Sequence, residues 1–429
     1  MKKKSSLESK RDSSSGTVSA DVLIVGGGLV GGTLACALAA EGLDVAVVDS
    51  EAPEAAAAPK ADGRVSAIAL SSKRLLEAAG LWRDLARDAA PIRDIRVAEG
   101  HTPFFLHYDS TEVGGEPFGF MVENRNLRRA IIRRMAAERR VVLFAPARVK
   151  TLDRGAVAVA AEIQTAQGIR RVRAPLVVAA DGRASRTRRD AGIGATKRGY
   201  DQTAIVCAVR HERSHDFIAH EMFRPAGPFA LLPMNDYGGR RSAVVWSERP
   251  DVAPLMMALD DESFAAEIQA RAGDFLGAIS LDSPRWAYPL SVQFAQRMVA
   301  HRLALAGDAA HAMHPVAGQG LNMGLRDVAA LAEILGEAKS LGLDLGQAAV
   351  LDRYGRWRRF DNGVMLAMTD TLVRFFSNDI GPIKAARALG LSAVNRIPPL
   401  RRLFARHAMG VVGDLPRSMR GDSTQGYRA

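Results

Sequence analysis

Three clusters of residues in this sequence have the types and spacing to hold a phosphorylated, electron-carrying ligand. The first is Gly26-x-Gly28-x-x-Gly31, set between an apolar run and a helix-forming one in "DVLIVGGGLVGGTLACALAAEG". Gly26 permits a tight turn, Gly28 lets a pyrophosphate approach the backbone, and Gly31 lets helix and strand pack closely. The helix that follows offers free N–H groups and partial positive charge to phosphates. Asp49 closes the next apolar run, where an acid meets the hydroxyls of an adenosine ribose. This pattern suits FAD and NAD alike.

The second cluster, "VVAADGRASRTRR" at 177–189, ends an apolar strand in Asp181-Gly182 and adds four arginines. It reads as a further backbone contact with the same cofactor, beside a cationic patch for an incoming anion. The third, "LALAGDAAHAMHPVAGQGLNMGLRD" at 303–327, places Asp308 at a strand end, then opens a helix. Asp308 can accept hydrogen bonds from a sugar or polyol. The run from Pro315 to Asn322 presents backbone amides at the start of a helix, and such an end stabilises negative charge. A reduced flavin carries that charge on one edge of its ring. His311 and His314 stand three apart beside Asp308, but no other ligand cluster accompanies them. Structural hydrogen bonding in the turn is preferred over a metal or acid–base duty.

The elements that must position these clusters follow from pattern. Strand, glycine turn, helix and strand follow one another over 21–51. Amphipathic helices are expected over 71–86 and 124–140, a loop over 52–63, and short strands over 141–180. Residues 200–250 are rich in β-prone runs punctuated by Gly and Pro, which suggests an antiparallel sheet separate from the parallel one. From Gly320 onward the pattern is mostly helical, broken at "IPPL". The chain has 429 residues, 48% hydrophobic and 24% charged, enough for two domains with a large core. Its net charge of +11 favours contact with anions: phosphorylated cofactors, acidic lipid or nucleic acid. Two isolated cysteines, Cys36 and Cys207, argue against a disulfide scaffold and against a cysteine metal site. The basic, serine-rich N-terminus has no apolar core and reads as a disordered tail rather than a secretory signal. No apolar run is long enough to span a bilayer.

The three clusters occur in one order, and with them "DGRVSAIALSSKRLLEAAGLW", "GFMVENRNLRRAI" and the terminal "AMGVVGDLPRSMRG". In these blocks the chain resembles the group A flavoprotein aromatic hydroxylases, which include para-hydroxybenzoate hydroxylase. Within them it is similar to the ubiquinone-biosynthesis hydroxylases of the 2-polyprenyl-6-methoxyphenol hydroxylase type. The likeness runs from about residue 20 to 421.

The resemblance implies an α/β fold: a Rossmann-like FAD-binding domain with an inserted β-sheet substrate domain and C-terminal helices. The expected division is a tail at 1–19, an FAD-binding domain from 20–75, 97–190 and 285–345, a substrate domain from 76–96 and 191–284, and a helical region at 346–429. Gly26, Gly28, Gly31 and Asp49 would hold the ADP half of FAD. Arg64 and Arg125 match family arginines near the phosphates and ribityl chain, and Val149 a backbone contact to adenine. Asp181 and Gly182 match a motif shared between FAD and nicotinamide. Asp308 would meet the ribityl or phosphate region. Pro315, Gly318, Gln319, Gly320, Leu321 and Asn322 would meet the isoalloxazine. No catalytic side chain and no metal ligand is named.

The chemistry implied is hydroxylation of a polyprenylated phenol by O2 through a flavin C4a-hydroperoxide, with NAD(P)H as transient electron donor; a ferredoxin-type donor stays open. A prenylated substrate implies visits to a membrane surface, on the cytoplasmic inner face of a bacterial plasma membrane. Residues 396–429 fit this, with seven arginines, two aspartates, and Leu400, Leu403 and Phe404 interspersed. A helix packed on the body or on a partner subunit fits them as well. Other ubiquinone-biosynthesis proteins and a second copy of the chain are expected partners, and nucleic acid is not. The competing readings are a hydroxylase of another phenol, an NAD-dependent dehydrogenase, and a non-catalytic flavin-binding scaffold. The dehydrogenase leaves the second and third clusters unexplained, and the isolated cysteines disfavour a flavin disulfide reductase.

Overall fold

This computed structural model describes residues 16–58, 63–99, 105–236, 238–313, 319–359, 361, 363 and 397–420. Continuous apolar runs such as "VLIV" and "LVVA" form strands buried on both faces, as a parallel sheet between helices requires. They build a six-stranded sheet. From edge to edge its strands are Val299–Ala300, Leu303–Leu305, Leu176–Ala179, Val22–Val25, Val45–Val48 and Val141–Phe144. All pair in parallel except the first, which is antiparallel to its neighbour. The helix Leu29–Ala40 crosses from Val22–Val25 to Val45–Val48, and packs on the long helix Gln319–Ser340. A four-stranded sheet lies beside this unit, built from Thr17–Ser19, Gly168–Ala174, Val159–Thr165 and Ala147–Arg154.

The β-prone segment expected over 200–250 forms the middle of a nine-stranded sheet. In order it contains His311–Ala312, Trp286–Ala295, Ala195–His211, Arg241–Glu248, Gly227–Pro233, Ile218–Arg224, Asp94–Glu99 and Phe105–Asp109. Ile279–Leu281 adds to the strand Ala195–His211. Strand alternation gives this sheet two apolar faces. On one, Cys207, Met222, Val244 and Trp246 pack on Phe264 and Ile268 of the helix Asp261–Ala272. The other turns Ala208, Ala219, Leu232 and Ala243 toward a three-stranded sheet, Val65–Ala69, Gly119–Glu123 and Ala90–Ile92.

The structure redraws several sequence-based boundaries. Thr17–Ser19, read as tail, pairs in parallel with Arg171–Arg173; residues 1–15 lie outside the described set. Leu76, Leu81, Trp82 and Leu85, read as substrate domain, belong to the core around the six-stranded sheet. Conversely, Asp94–Glu99, Phe105–Asp109 and Trp286–Ala295 belong to the nine-stranded sheet, although 97–190 and 285–345 were read as FAD-binding. The reason is pairing at long range. Asp94–Glu99 joins that sheet by lying parallel to Ile218–Arg224, a partner no local periodicity reveals. The helix expected over 71–86 is two helices, Leu70–Ala78 and Trp82–Leu85, because Gly80 at φ +73° ends the first.

Candidate dinucleotide site

Val48, Val25, Ala179 and Leu305 are successive cross-strand partners in the six-stranded sheet. The residues that leave those four strands therefore leave along one line, at their carboxyl ends. They are Asp49, the Gly26–Gly28 turn, Asp181 and the Gly307-Asp308 turn. At about 4.8 Å per strand, the line from Asp49 to Asp308 spans roughly 14 Å. In open parallel sheets ligands bind at this edge, where the chain crosses to opposite faces.

The glycines behave as their spacing predicts. Gly26 has φ +99°, and a Cβ there would lie 2.3 Å from the Ala180 carbonyl oxygen. A Cβ on Gly31 would lie 1.9 Å from the Gly26 oxygen. Gly28 is different: it caps the helix Leu29–Ala40 with extended backbone and no side-chain cap, and a Cβ there would meet nothing within 4 Å. Among the described residues, no side chain caps the first amides of that helix. An anionic group fits that cradle. Asp49 flanks it, accepting from Gly27 N–H at 2.5 Å and Glu51 N–H at 2.8 Å. Arg128, Ile131 and Leu143 line the pocket that continues from Gly28 and Asp49. Val149 lies on the strand whose Ala147 N–H donates to the Asp49 carbonyl at 2.7 Å, so it belongs to this end of the line.

The second and third clusters are fastened together by a residue the sequence reading placed in a cationic patch. Arg188 is 2% exposed, and its guanidinium donates to the carbonyls of Ala309 at 2.8 Å and Arg183 at 3.2 Å. Asp181 is likewise occupied locally. Its carboxylate accepts from Ser185 Oγ at 2.5 Å, and from Thr187 N and Oγ1 at 3.0 and 2.9 Å. What Asp181-Gly182 offers the site is therefore backbone, against which Gly26 packs. Asp308 is the opposite case. It is exposed between buried neighbours, and no described residue hydrogen-bonds its carboxylate. That leaves a free acceptor, as the hydroxyls of a polyol require.

The helix Gln319–Ser340 completes the line. A Cβ on Gly324 would lie 2.6 Å from Val30 Cγ2, and one on Gly307 2.9 Å from the same methyl, so the two helix starts and the third turn meet at Val30. Gly320 and Leu321 lie in its first turn. Asn322 is spent on structure: it accepts from Ala69 N–H at 2.9 Å and donates to the Ala67 carbonyl at 2.7 Å, stapling the strand Val65–Ala69 to the helix. That strand carries Arg64 at its start. Arg64 lies over the Tyr288 ring at 5.5 Å, and its carbonyl accepts from Asn124 N–H, next to Arg125. Arg125 is ion-paired to Glu123. Pro315, Gly318 and His314 lie outside the described residues, and of Gln319 only its place at the helix start is described.

His311 answers to a partner sixteen residues away that the sequence reading missed. Its Nε2 lies 2.7 Å from Asp327 Oδ2, which also accepts from Gly307 N–H at 2.9 Å. Asp327 Oδ1 accepts from Arg358 Nε at 2.7 Å, and Arg358 continues to Asp361 at 2.6 Å. Asp327 and Arg358 are 0% and 1% exposed. Burial alone would raise the Asp327 carboxyl, but the His311 ring and the Arg358 guanidinium outweigh it and hold the group below the usual carboxylate range. The network fixes the Gly307-Asp308 turn.

Residues 19–360 match the FAD binding domain family. The chain belongs to that family. Its cofactor is FAD. Ubiquinone hydroxylase UbiL of Rhodospirillum rubrum is 56% identical over 405 residues, covering 94% of this chain and 93% of that protein. The 3-demethoxyubiquinol 3-hydroxylase of Escherichia coli is 34% identical, covering 91% and 98%. Among solved structures, p-nitrophenol 4-monooxygenase PnpA from Pseudomonas putida superposes with a TM-score of 0.74 at 21% identity, over 92% of this chain and 98% of that one. That likeness establishes the shared fold: an FAD domain of the family type with an inserted sheet.

Proposed function

We propose that the protein is an FAD-dependent monooxygenase that hydroxylates the aromatic ring of a polyprenylated phenol in ubiquinone biosynthesis, with O2 as oxidant and NAD(P)H as electron donor. The observation that carries this is identity at 56% along 94% of the chain with a relative named for ubiquinone hydroxylation. FAD, when bound there, would supply oxygen activation. The chain's own residues bind, orient and shield. The Gly28 amides and the Asp49 carboxylate take the pyrophosphate and ribose, with Arg64 and Arg125 alongside. Asp308 takes the ribityl hydroxyls, and the backbone from residue 315 to Asn322 takes the ring. Val149 and the Asp181-Gly182 turn close the adenine end and the middle. Purified holoprotein supplied with NAD(P)H, O2 and a prenylated phenol is expected to yield the ring-hydroxylated product. Donor oxidation with the phenol left unchanged would favour the scaffold reading.

The helix Pro398–Ala408 supports a surface role. It buries Ala405 and Met409 against the body and turns Leu403 (49% exposed) and Phe404 (38%) outward between Arg402 and Arg406, with Ile397 exposed just before it. An amphipathic, basic segment of this form rests on anionic lipid and brings the site to a bilayer-resident substrate. No helix among the described residues is long and apolar enough to cross a membrane. The holoprotein is expected to sediment with vesicles containing phosphatidylglycerol at low salt and to be released by high salt. Substitution of Leu403 and Phe404 by Ser is expected to abolish sedimentation, and no sedimentation of the native protein would refute the lipid contact.

A further inference from the structure

Among the described residues of the nine-stranded sheet, Glu221 is an ionisable group for which no protein partner is found. In the strand Ile218–Arg224, Met222 joins the cluster around the helix Asp261–Ala272 and Ala219 the cluster on the opposite face. Alternation puts Glu221 on the Ala219 face, toward the FAD domain. Its cross-strand partners are Ala230 and Val97, and the same row continues through Val245 and Val206 to Trp286. Trp286 is in contact with Gly63, and Tyr288 on the next row lies under Arg64. One row of the sheet therefore runs from the loop that holds Arg64 to Glu221. It covers four strand spacings, about 19 Å, with only Val206, Val245 and Ala230 between.

Glu221 lies deep in the protein, yet the residue is only half-buried, so part of it still meets open space. Its carboxyl makes no hydrogen bond or ion pair with any described residue. Burial alone pushes it up to about 7. Two strands away on the same face, the Ser247 hydroxyl is also buried without a partner. Two unpaired polar atoms in an apolar floor are the pattern of a site that orients an aromatic ligand.

We propose that Glu221 anchors the aromatic substrate, its carboxylate accepting the hydrogen bond of the phenolic hydroxyl. The phenol keeps its proton, because a phenolic O–H, ordinarily about 10, is a weaker acid than the Glu221 carboxyl at about 7. The carboxylate polarises that O–H bond and raises electron density on the ring, which makes it a better target for an electrophilic oxygen. The proposal rests on the reading above that the substrate is a phenol. Around Glu221, Val97, Leu106, Ala230 and Val245 carry no charge. Tyr108, two strands away, is raised by burial and stays neutral. Glu99 holds the next register position on its strand beyond Val97. Arg96, His220 and Arg224 alternate onto the other face.

The test is titration of the FAD-loaded protein with 2-prenylphenol, reading the near-ultraviolet difference spectrum from acid to alkaline pH. Affinity is expected to rise as the pH passes about 7, with a red shift of the bound phenol's absorbance as its hydroxyl donates to the ionised carboxylate. In Glu221→Gln the pH step should vanish, with affinity at alkaline pH lower by about tenfold or more. Gln keeps the shape and removes a buried charge, so FAD content should hold. Glu221→Asp should keep the step with weaker binding. A step and affinity unchanged in Glu221→Gln would overturn this assignment and leave the hydroxylase reading standing. Failure of the native holoprotein to bind the phenol at any pH would overturn both.

Discussion

Gly28→Val is expected to fold as the native chain does and to be purified without FAD. The two halves of that result come from separate observations. Gly28 has a negative φ (−65°), outside the left-handed region that favours glycine, and a Cβ there meets no described atom within 4 Å. The valine methyls would instead occupy the space in front of the first helix amides, where the pyrophosphate must approach the backbone. FAD affinity should fall by about a hundredfold or more, equivalent to roughly 3 kcal/mol, while the thermal midpoint of the apoprotein stays close to native. Gly31→Ala provides the contrast. Its Cβ would lie 1.9 Å from the Gly26 oxygen, so the helix must shift, and stability and FAD binding should fall together. Visible absorbance and circular dichroism separate the outcomes. A yellow Gly28→Val protein would place the dinucleotide elsewhere.

Asp327→Ala is expected to be the most destabilising single change near the site. It strips Arg358, 1% exposed, of one of its carboxylate partners, and leaves His311 and the Gly307 amide without theirs. Breaking a buried pair by removing one member costs about 3–5 kcal/mol. The measurement is the urea midpoint, and a loss below 1 kcal/mol would show that the network is not what holds the Gly307-Asp308 turn. The pH dependence follows from the direction of the shift. The folded-state carboxyl lies below its unfolded value, so its stabilisation is complete above the unfolded value, roughly pH 4, and is lost as the pH falls further. The gap between the native protein and Asp327→Asn should therefore be full at neutral pH and narrow in acid.

What could be seen in the sequence was whatever is local. The Gly26 turn, its helix and Asp49 share one βαβ unit, and their roles follow from spacing. The strand-end positions of Asp181 and Asp308 were equally visible, because an apolar run stops just before each. Their different fates were not. Asp181 is consumed by Ser185 and Thr187 within its own turn, whereas Asp308 is left free of described partners. No spacing rule distinguishes a capping acid from an available one. Arg188 was misread because an arginine in a basic run looks exposed, and only the fold shows it crossing to Ala309. Asp327 was quoted in the third cluster without a role, since its partners His311 and Arg358 lie sixteen and thirty-one residues away. Glu221 carried no signal at all. A glutamate between a histidine and a methionine in a strand is unremarkable until the register shows which face it takes.

These long-range pairings share one physical consequence. The strand ends set the line proposed for the dinucleotide, and the buried Asp327 and Arg188 contacts lock two of those ends into position. In the proposal for Glu221, the sheet floor is the second wall of the site. Chemistry at that junction requires the ring to be held close to the flavin with water excluded.

The most direct test is to supply the holoprotein with NAD(P)H, a prenylated phenol and isotopically labelled dioxygen, and to weigh the product. The account predicts a phenol heavier by one oxygen atom, that atom carrying the label. Unlabelled oxygen in the product, or donor oxidation yielding only peroxide with every phenol offered, would contradict it.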